Sequence, residues 1–252
     1  MSHGPPTTGP ESACDDGGMV IADQPSERPR GPDRADELAT PVEVGRVYVR
    51  RASARVLVVA TAVLVTTRVV AGGTGRGDLL VIVATLLIAG PAEWIIHRFL
   101  LHAAPDAWAS RTLGTGAGHR EHHLDPPEID WLMLRGVDAT VFVFAFGAIT
   151  AVWTVPLLWL TGSALTGPFL TAWALSAIGL AHYEWVHLLV HSRYRCRSRY
   201  YARLARNHRL HHYRNEHFWL GVTTNLGDRI LGTYPGHRSE VPVSATARTI
   251  GG

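Results

Sequence analysis

The chain of 252 residues contains no lysine; all 24 of its basic residues are arginine. That bias is the codon usage of a GC-rich genome and carries no mechanism. Cysteine is nearly absent as well, with Cys14 and Cys196 alone. Two distant cysteines make neither a disulfide framework nor a C-x-x-C site, so any metal here is held by nitrogen and oxygen rather than thiolate. No apolar stretch opens the chain, which excludes a secretory signal. Residues 1–45 are instead rich in Pro, Gly, Asp, Glu and Arg. They bury too little surface to offset their ordering entropy and are expected to be disordered. They are also too short for a fused electron-transfer domain. A basic stripe interleaved with aromatics is missing outside the flanks of the apolar segments, so the net charge of +3 is not read as nucleic-acid binding.

What the chain has is long apolar runs. Four lie at about 56–74, from Leu79 to about 102, at 139–161 and at 165–187. Each approaches the roughly 20 residues that a helix needs to cross a hydrocarbon core. Arg68 lies within two turns of the first run's end, where it can snorkel to headgroups. The connections at 72–78 and 162–164 are short. Arginines gather on the other side: Arg46, Arg50, Arg51 and Arg55 before the first run, and Arg193, Arg195, Arg197 and Arg199 after the fourth. The positive-inside rule then puts both termini and the loop 98–138 in the cytoplasm, in a multi-pass protein of a bacterial cell membrane. The stretch 193–206 reads as a helix along the cytoplasmic leaflet, with tyrosines at the interface.

Histidine is abundant, with 14 residues, and it is patterned. H-x-x-H-H would occur by chance about 0.04 times in such a chain. It occurs twice, as His119, His122, His123 and as His208, His211, His212. Each triplet follows the same prelude. Glu93-Trp94 closes the second run, then come His97, His102 and sixteen residues; Glu184-Trp185 closes the fourth, then come His187, His191 and sixteen residues. This repeat predicts two related half-sites facing each other across a pseudo-twofold axis. On a helix, i, i+3 and i+4 share a face, so each triplet is expected to project three imidazoles together, as are His187 and His191. His97 and His102 stand about 140° apart on an ideal helix and need a helix end or a distortion near Pro91 to converge.

Ten clustered imidazoles near a membrane would be unpaired, or repel when protonated, without a metal. They exceed a four-ligand structural zinc site, and imidazole suits iron, copper, nickel and zinc alike. Five nitrogens for each of two metals leave an open position for dioxygen. The clustering at the span exits does not suit axial haem ligation. The H-E-x-x-H of a zinc protease is missing too, since the glutamate of "HREHH" sits one position late.

The segments "EWIIHRFLLH", "HREHH", "YEWVHLLVH" and "HRLHHYRNEHFWLGVTTNLGDRILGT" together resemble the fatty acid hydroxylase superfamily of lipid hydroxylases, sterol desaturases and carotenoid hydroxylases. The resemblance covers roughly residues 56–235. It implies an all-α integral membrane fold of four spans in two hairpins under a cytoplasmic histidine-rich helical cap. It also implies a domain at 46–235 followed by a flexible tail at 236–252. The site it implies is a di-iron centre on His97, His102, His119, His122, His123, His187, His191, His208, His211 and His212. Zinc can take the place of iron on purification. The cofactors are two iron ions, dioxygen and electrons from a separate electron-transfer protein; the partner in the membrane is a lipid substrate. Gly221-Val222, Asp228 and Gly232-Thr233 are similar to the family's closing signature, with Gly227 where many members carry tryptophan.

Glu93, Glu184 and Asp228 are candidates to accept the outer N–H of ligating imidazoles; for each glutamate an interfacial anchor beside its tryptophan is the competing reading. His182 has no counterpart in the first half and reads as interfacial or supporting. His217 is a candidate for substrate contact or a supporting contact, and His3 and His237 are expected to be solvated. The expected activity is oxygen-dependent hydroxylation of a hydrophobic lipid. Desaturation, carotenoid ring hydroxylation, and a metal transporter or sensor are the alternatives. A transporter would place ligands at mid-membrane, whereas these gather at one face.

Overall fold

Helix α1 (Pro41–Arg50) begins where local chemistry asks for it. The Thr40 hydroxyl accepts from the Glu43 N–H, the Glu43 carboxylate accepts from the Thr40 N–H, and Pro41 takes the first helical position. The computed structural model describes residues 33–113 and 116–250. His3 and most of the segment expected to be disordered lie outside the described residues. Residues 33–45 carry a 3-10 turn (Ala35–Glu37) and the start of α1, so order begins ahead of residue 46. The reason is that Ala35, Leu38 and Val44 are buried against α8.

The remaining helices are α2 (Ala52–Ala71), α3 (Arg76–Ile96), α4 (Trp108–Leu113), α5 (Ala117–Leu124), α6 (Ile129–Leu132), α7 (Gly136–Leu160), α8 (Thr166–His191), α9 (Arg199–Tyr213) and α10 (Leu226–Ile230). A π-turn, His97–Leu101, continues α3. Among the described residues there is no strand, only an isolated bridge between Arg34 and Glu128. Among the described residues, three helical stretches are long and apolar enough to cross a membrane: Ala52–Ala71, Arg76–Leu101 and Ile129–Leu160. The expected fourth, α8, has the length, but His182, Glu184, His187 and His191 dilute its apolar character. It is the central helix, packed against α2, α3, α7 and α9.

Close approaches fix these helices. Gly147 of α7 receives the Trp173 ring of α8, and the Trp173 indole N–H donates to the Val143 carbonyl at 2.9 Å. Arg68 does not reach outward as expected. Its guanidinium donates to Asp78, to Thr171 and to the Gly72 and Gly73 carbonyls, clasping the α2–α3 turn. That turn uses positive φ at Gly72 and Gly73, which favours glycine.

At the other end, α9 buries Leu204 and Ala205 against Val186, Val190 and Val222. Burying a leucine in this way contributes roughly 1.5–3 kcal/mol. The stretch expected as a leaflet helix thus starts irregularly at 193–198. Its apolar side then goes into the protein core, leaving Arg199, Arg203, Arg206 and Arg209 exposed.

Candidate metal centre

Each histidine is delivered by a helix end or a short helix at one end of the fold. His97 and His102 bracket the π-turn after α3, and α5 carries His119, His122 and His123. His187 and His191 close α8, and α9 carries His208, His211 and His212. The π-turn is the distortion that H-x4-H requires. The His102 N–H donates to the His97 carbonyl five residues back at 3.0 Å, which stacks i and i+5 on one face. The two rings stand 4.8 Å apart, against 5.2 Å for His187 and His191 on regular helix. One extra residue in the first half is absorbed by one wider turn.

The ten imidazoles form two groups of five: His97, His102, His119, His123 and His211, and His122, His187, His191, His208 and His212. Within each group the candidate ligand nitrogens all lie within 4.8 Å of one another. Imidazole binds zinc at roughly 2.0–2.1 Å, which sets opposed donors roughly 4.2 Å apart; the 4.8 Å limit is slightly wider, so each group could close on one ion with a small inward shift. The expectation that a triplet acts as a unit needs correction. The middle histidine of each, His122 and His211, crosses into the group built by the other half. The reason is helical: i+3 and i+4 are 100° apart, and two facing helices turn that angle into membership of two adjacent sites.

The nitrogens are poised as metal donors. Four rings give their Nδ1–H to backbone carbonyls: His97 to Leu220 at 2.5 Å, His123 to Ala247 at 2.8 Å, His187 to Leu132 at 3.2 Å and His211 to Phe218 at 3.0 Å. That fixes the tautomer and leaves Nε2 as a lone pair. Nε2 of His123, His187 and His211 is buried without a partner, as are both ring nitrogens of His102 and His122. Elsewhere lone-pair atoms face each other. His97 and His119 meet Nε2 to Nε2 at 3.0 Å, His191 and His208 at 2.8 Å, and His208 and His212 at 3.0 Å. Buried polar atoms left unsatisfied in such numbers fit a bound cation between them. Burial, then neighbouring imidazoles, pushes His119, His122, His208, His211 and His212 well below the usual imidazole range. His102 shifts the same way, and burial brings His123 down to about 4. Neutral imidazole is the form that ligates.

None of the three expected carboxylates touches a ring. Glu93 accepts from the Val222 N–H at 2.5 Å, the Thr223 N–H at 2.9 Å and the Thr223 hydroxyl. Asp228 accepts from the Leu220 and Gly221 N–H groups, each at 2.8 Å. Both thus hold the loop whose Leu220 carbonyl orients His97. Glu184 does the same in the other half, accepting from the Leu134 N–H at 2.7 Å beside the Leu132 carbonyl that orients His187. These carboxylates act through backbone rather than on imidazole. His182 sits half-buried beside Tyr200, outside both groups. His217 is exposed against Arg98, and His237 is exposed. Glu216 is a residue that the sequence reading passes over; it is buried, with Oε1 accepting from Ser244 and Thr246. Its neighbours in sequence are polar, and nothing in the local pattern marks it.

Helices of membrane-crossing length, capped at one end by two five-histidine groups that could each hold a metal ion, define the class of protein. Residues 82–233 match the family model described as fatty acid hydroxylase, and the chain belongs to that family. It is 32% identical over 135 residues to a beta-carotene hydroxylase of Paracoccus sp. (strain PC1), a match covering 54% of this chain and 74% of that protein. The fold is similar to the structure of full-length scs7p, of which only the hydroxylase domain is visible. That likeness has a TM-score of 0.52 at 20% identity, over 82% of this chain and 70% of that one.

Proposed function

We propose that the chain hydroxylates a C–H bond of a hydrophobic lipid with dioxygen at two iron ions, one in each five-histidine group. The observation that carries this reading is the pair of buried groups whose neutral donor nitrogens are either without a partner or face one another. Iron bound there supplies the activation of dioxygen. The balance is R–H, O2, two electrons and two protons giving R–OH and water, with the electrons coming from a separate electron-transfer protein.

The chain's own part is to hold and to exclude. Backbone carbonyls of Leu132, Phe218, Leu220 and Ala247 set four imidazoles, and close packing keeps bulk water from the donors. The fold is four spans in two hairpins, with α8 as the fourth; its histidine end and both termini are cytoplasmic, as the arginine distribution supports. A substrate dissolved in the bilayer then meets the groups where α3 and α8 leave it.

A carotenoid ring is the substrate to test first, since a beta-carotene hydroxylase is among the relatives. The test is lipid and carotenoid mass spectrometry of a host expressing the chain, with and without oxygen. The expected result is an oxygen-dependent gain of one oxygen atom. Loss of two hydrogens would replace hydroxylation with desaturation, and metal accumulation without any new product would favour a transporter.

A further inference from the structure

The segment expected to be a flexible tail is instead built onto the first histidine group. It lies beyond the residues that match the family. Val241, Ala247 and Ile250 are buried. Arg214 donates to the Val241 carbonyl at 2.8 Å, Asn215 to the Pro242 carbonyl at 3.2 Å, and the Ser244 N–H to the Arg214 carbonyl at 2.8 Å. The Ser244 and Thr246 hydroxyls donate to Glu216 Oε1 at 3.1 and 2.6 Å. Arg248 donates to the His123 carbonyl at 3.0 Å and to the Leu124 carbonyl, with its guanidinium over the Tyr213 ring.

The consequence falls on one imidazole. Of the four carbonyls that take an Nδ1–H, three come from within the matched span, and the fourth, Ala247, comes from this segment. It points at His123, which belongs to the first group alone. The clamp on Glu216 fixes residues 244 and 246, just ahead of that carbonyl, and Arg248 ties the residue after it to the backbone of His123 itself. Glu216 is buried at 1% exposure and its Oε2 has no partner; the side-chain hydrogen bonds to its Oε1 come from the segment, with His217 Nε2 3.6 Å from the same oxygen.

We infer that residues 238–250 form a cap that sets the His123 imidazole for metal binding in the first group, with Glu216, Ser244, Thr246 and Arg248 as positioning residues. This rests on the two-metal reading above. The experiment is a titration of the metal-depleted full-length protein with cobalt(II), following both absorption and affinity by chelator competition. Wild type is expected to take up two equivalents. Ser244→Ala/Thr246→Ala and Arg248→Ala should each weaken one equivalent, by up to the 10- to 100-fold typical of lost supporting contacts, and leave the other unchanged. Ser244→Thr/Thr246→Ser keeps both hydroxyls and should titrate as wild type. In a His123→Ala background the same substitutions should add nothing, because they act through that ring. Equal weakening of both equivalents, additivity with His123→Ala, or no effect would each overturn the inference. Failure of wild type to take up a second equivalent would instead overturn the two-metal reading itself.

Discussion

At the scale of single residues, the crossing of His122 and His211 gives the sharpest expectation. His122→Ala should weaken the metal held by the second group, and His211→Ala the metal held by the first. Each of the ten histidines should be needed for turnover, because losing one nitrogen opens a coordination position. His182→Ala should retain much of the activity, since that ring lies outside both groups. Metal content and product formation, measured at matched expression, check both; an inactive His182→Ala beside a fully active His211→Ala would sink the assignment. Glu93→Gln and Glu184→Gln should lose about 10- to 100-fold in activity or metal affinity, in the range of lost supporting contacts. The loss should come through loosened loops at 220–223 and 132–134 rather than through a missing imidazole partner. A titration follows as well. An unfolded imidazole binds its proton near 6.5, whereas His123 in the fold does so only near 4, because burial disfavours its charged form. Between those values the unfolded chain binds more protons at this position, so the stabilisation from this group is fully present above about pH 6.5. The metal-free protein should lose on the order of 3 kcal/mol from this group as pH falls toward 4. Chemical denaturation of metal-free wild type and His123→Ala across that range isolates it: wild type should lose more stability than the variant as pH falls toward 4, and an equal or smaller loss contradicts it.

At the scale of elements, most helices were legible and their special joints were not. The run at 139–161 and the helix Gly136–Leu160 nearly coincide, because twenty apolar residues have few other ways to satisfy their backbone. The five-residue spacing of His97 and His102 announced a distortion. That it is a π-turn depends on which carbonyl the His102 N–H meets, and side-chain pattern does not encode that. The crossing of the middle histidines, and the carbonyls that orient four rings, were hidden for a related reason: they arise from distances between helices far apart in sequence. The Gly227 departure has a visible cause. A Cβ there would lie 2.5 Å from the Gly90 carbonyl oxygen and 2.7 Å from Trp94 Cβ, so α10 rests directly on α3. Gly227→Ala should therefore destabilise the protein by about 1–3 kcal/mol, as overpacking does. Gly179→Ala, with nothing near its Cβ, is the control and should be neutral or stabilising by up to about 1 kcal/mol. Thermal unfolding of the two variants in detergent tests this; equal behaviour would mean that α10 can lift from α3 without cost.

At the scale of the whole molecule, the two ends of the helical body carry opposite chemistry. One end holds the Arg68–Asp78 clasp and the short turns at 72–75 and 161–165; the other holds all ten clustered histidines, α9 with its exposed arginines, and the cap at 238–250. Such polarity is what a membrane orders, since loops rich in arginine stay on the cytoplasmic side while short uncharged turns cross. The one long helix short of apolar character, α8, is surrounded by the other three long helices, and its Glu184 and His187 are buried within the protein. A polar residue within a bundle is tolerable where it would not be on the lipid face. Four crossings therefore remain consistent with three stretches that qualify by composition. Cys196, part-exposed in the arginine-rich connection, offers a native probe of this arrangement. In a Cys14→Ser background, a membrane-impermeant maleimide should label Cys196 in inverted vesicles and not in intact cells. Cysteines introduced at Gly73 and Ser163 in a Cys14→Ser/Cys196→Ser background should show the reverse. Three crossings in place of four would put the turn at 161–165 and Cys196 on the same side, so labelling of both from one side would sink the four-span arrangement while leaving the histidine groups untouched.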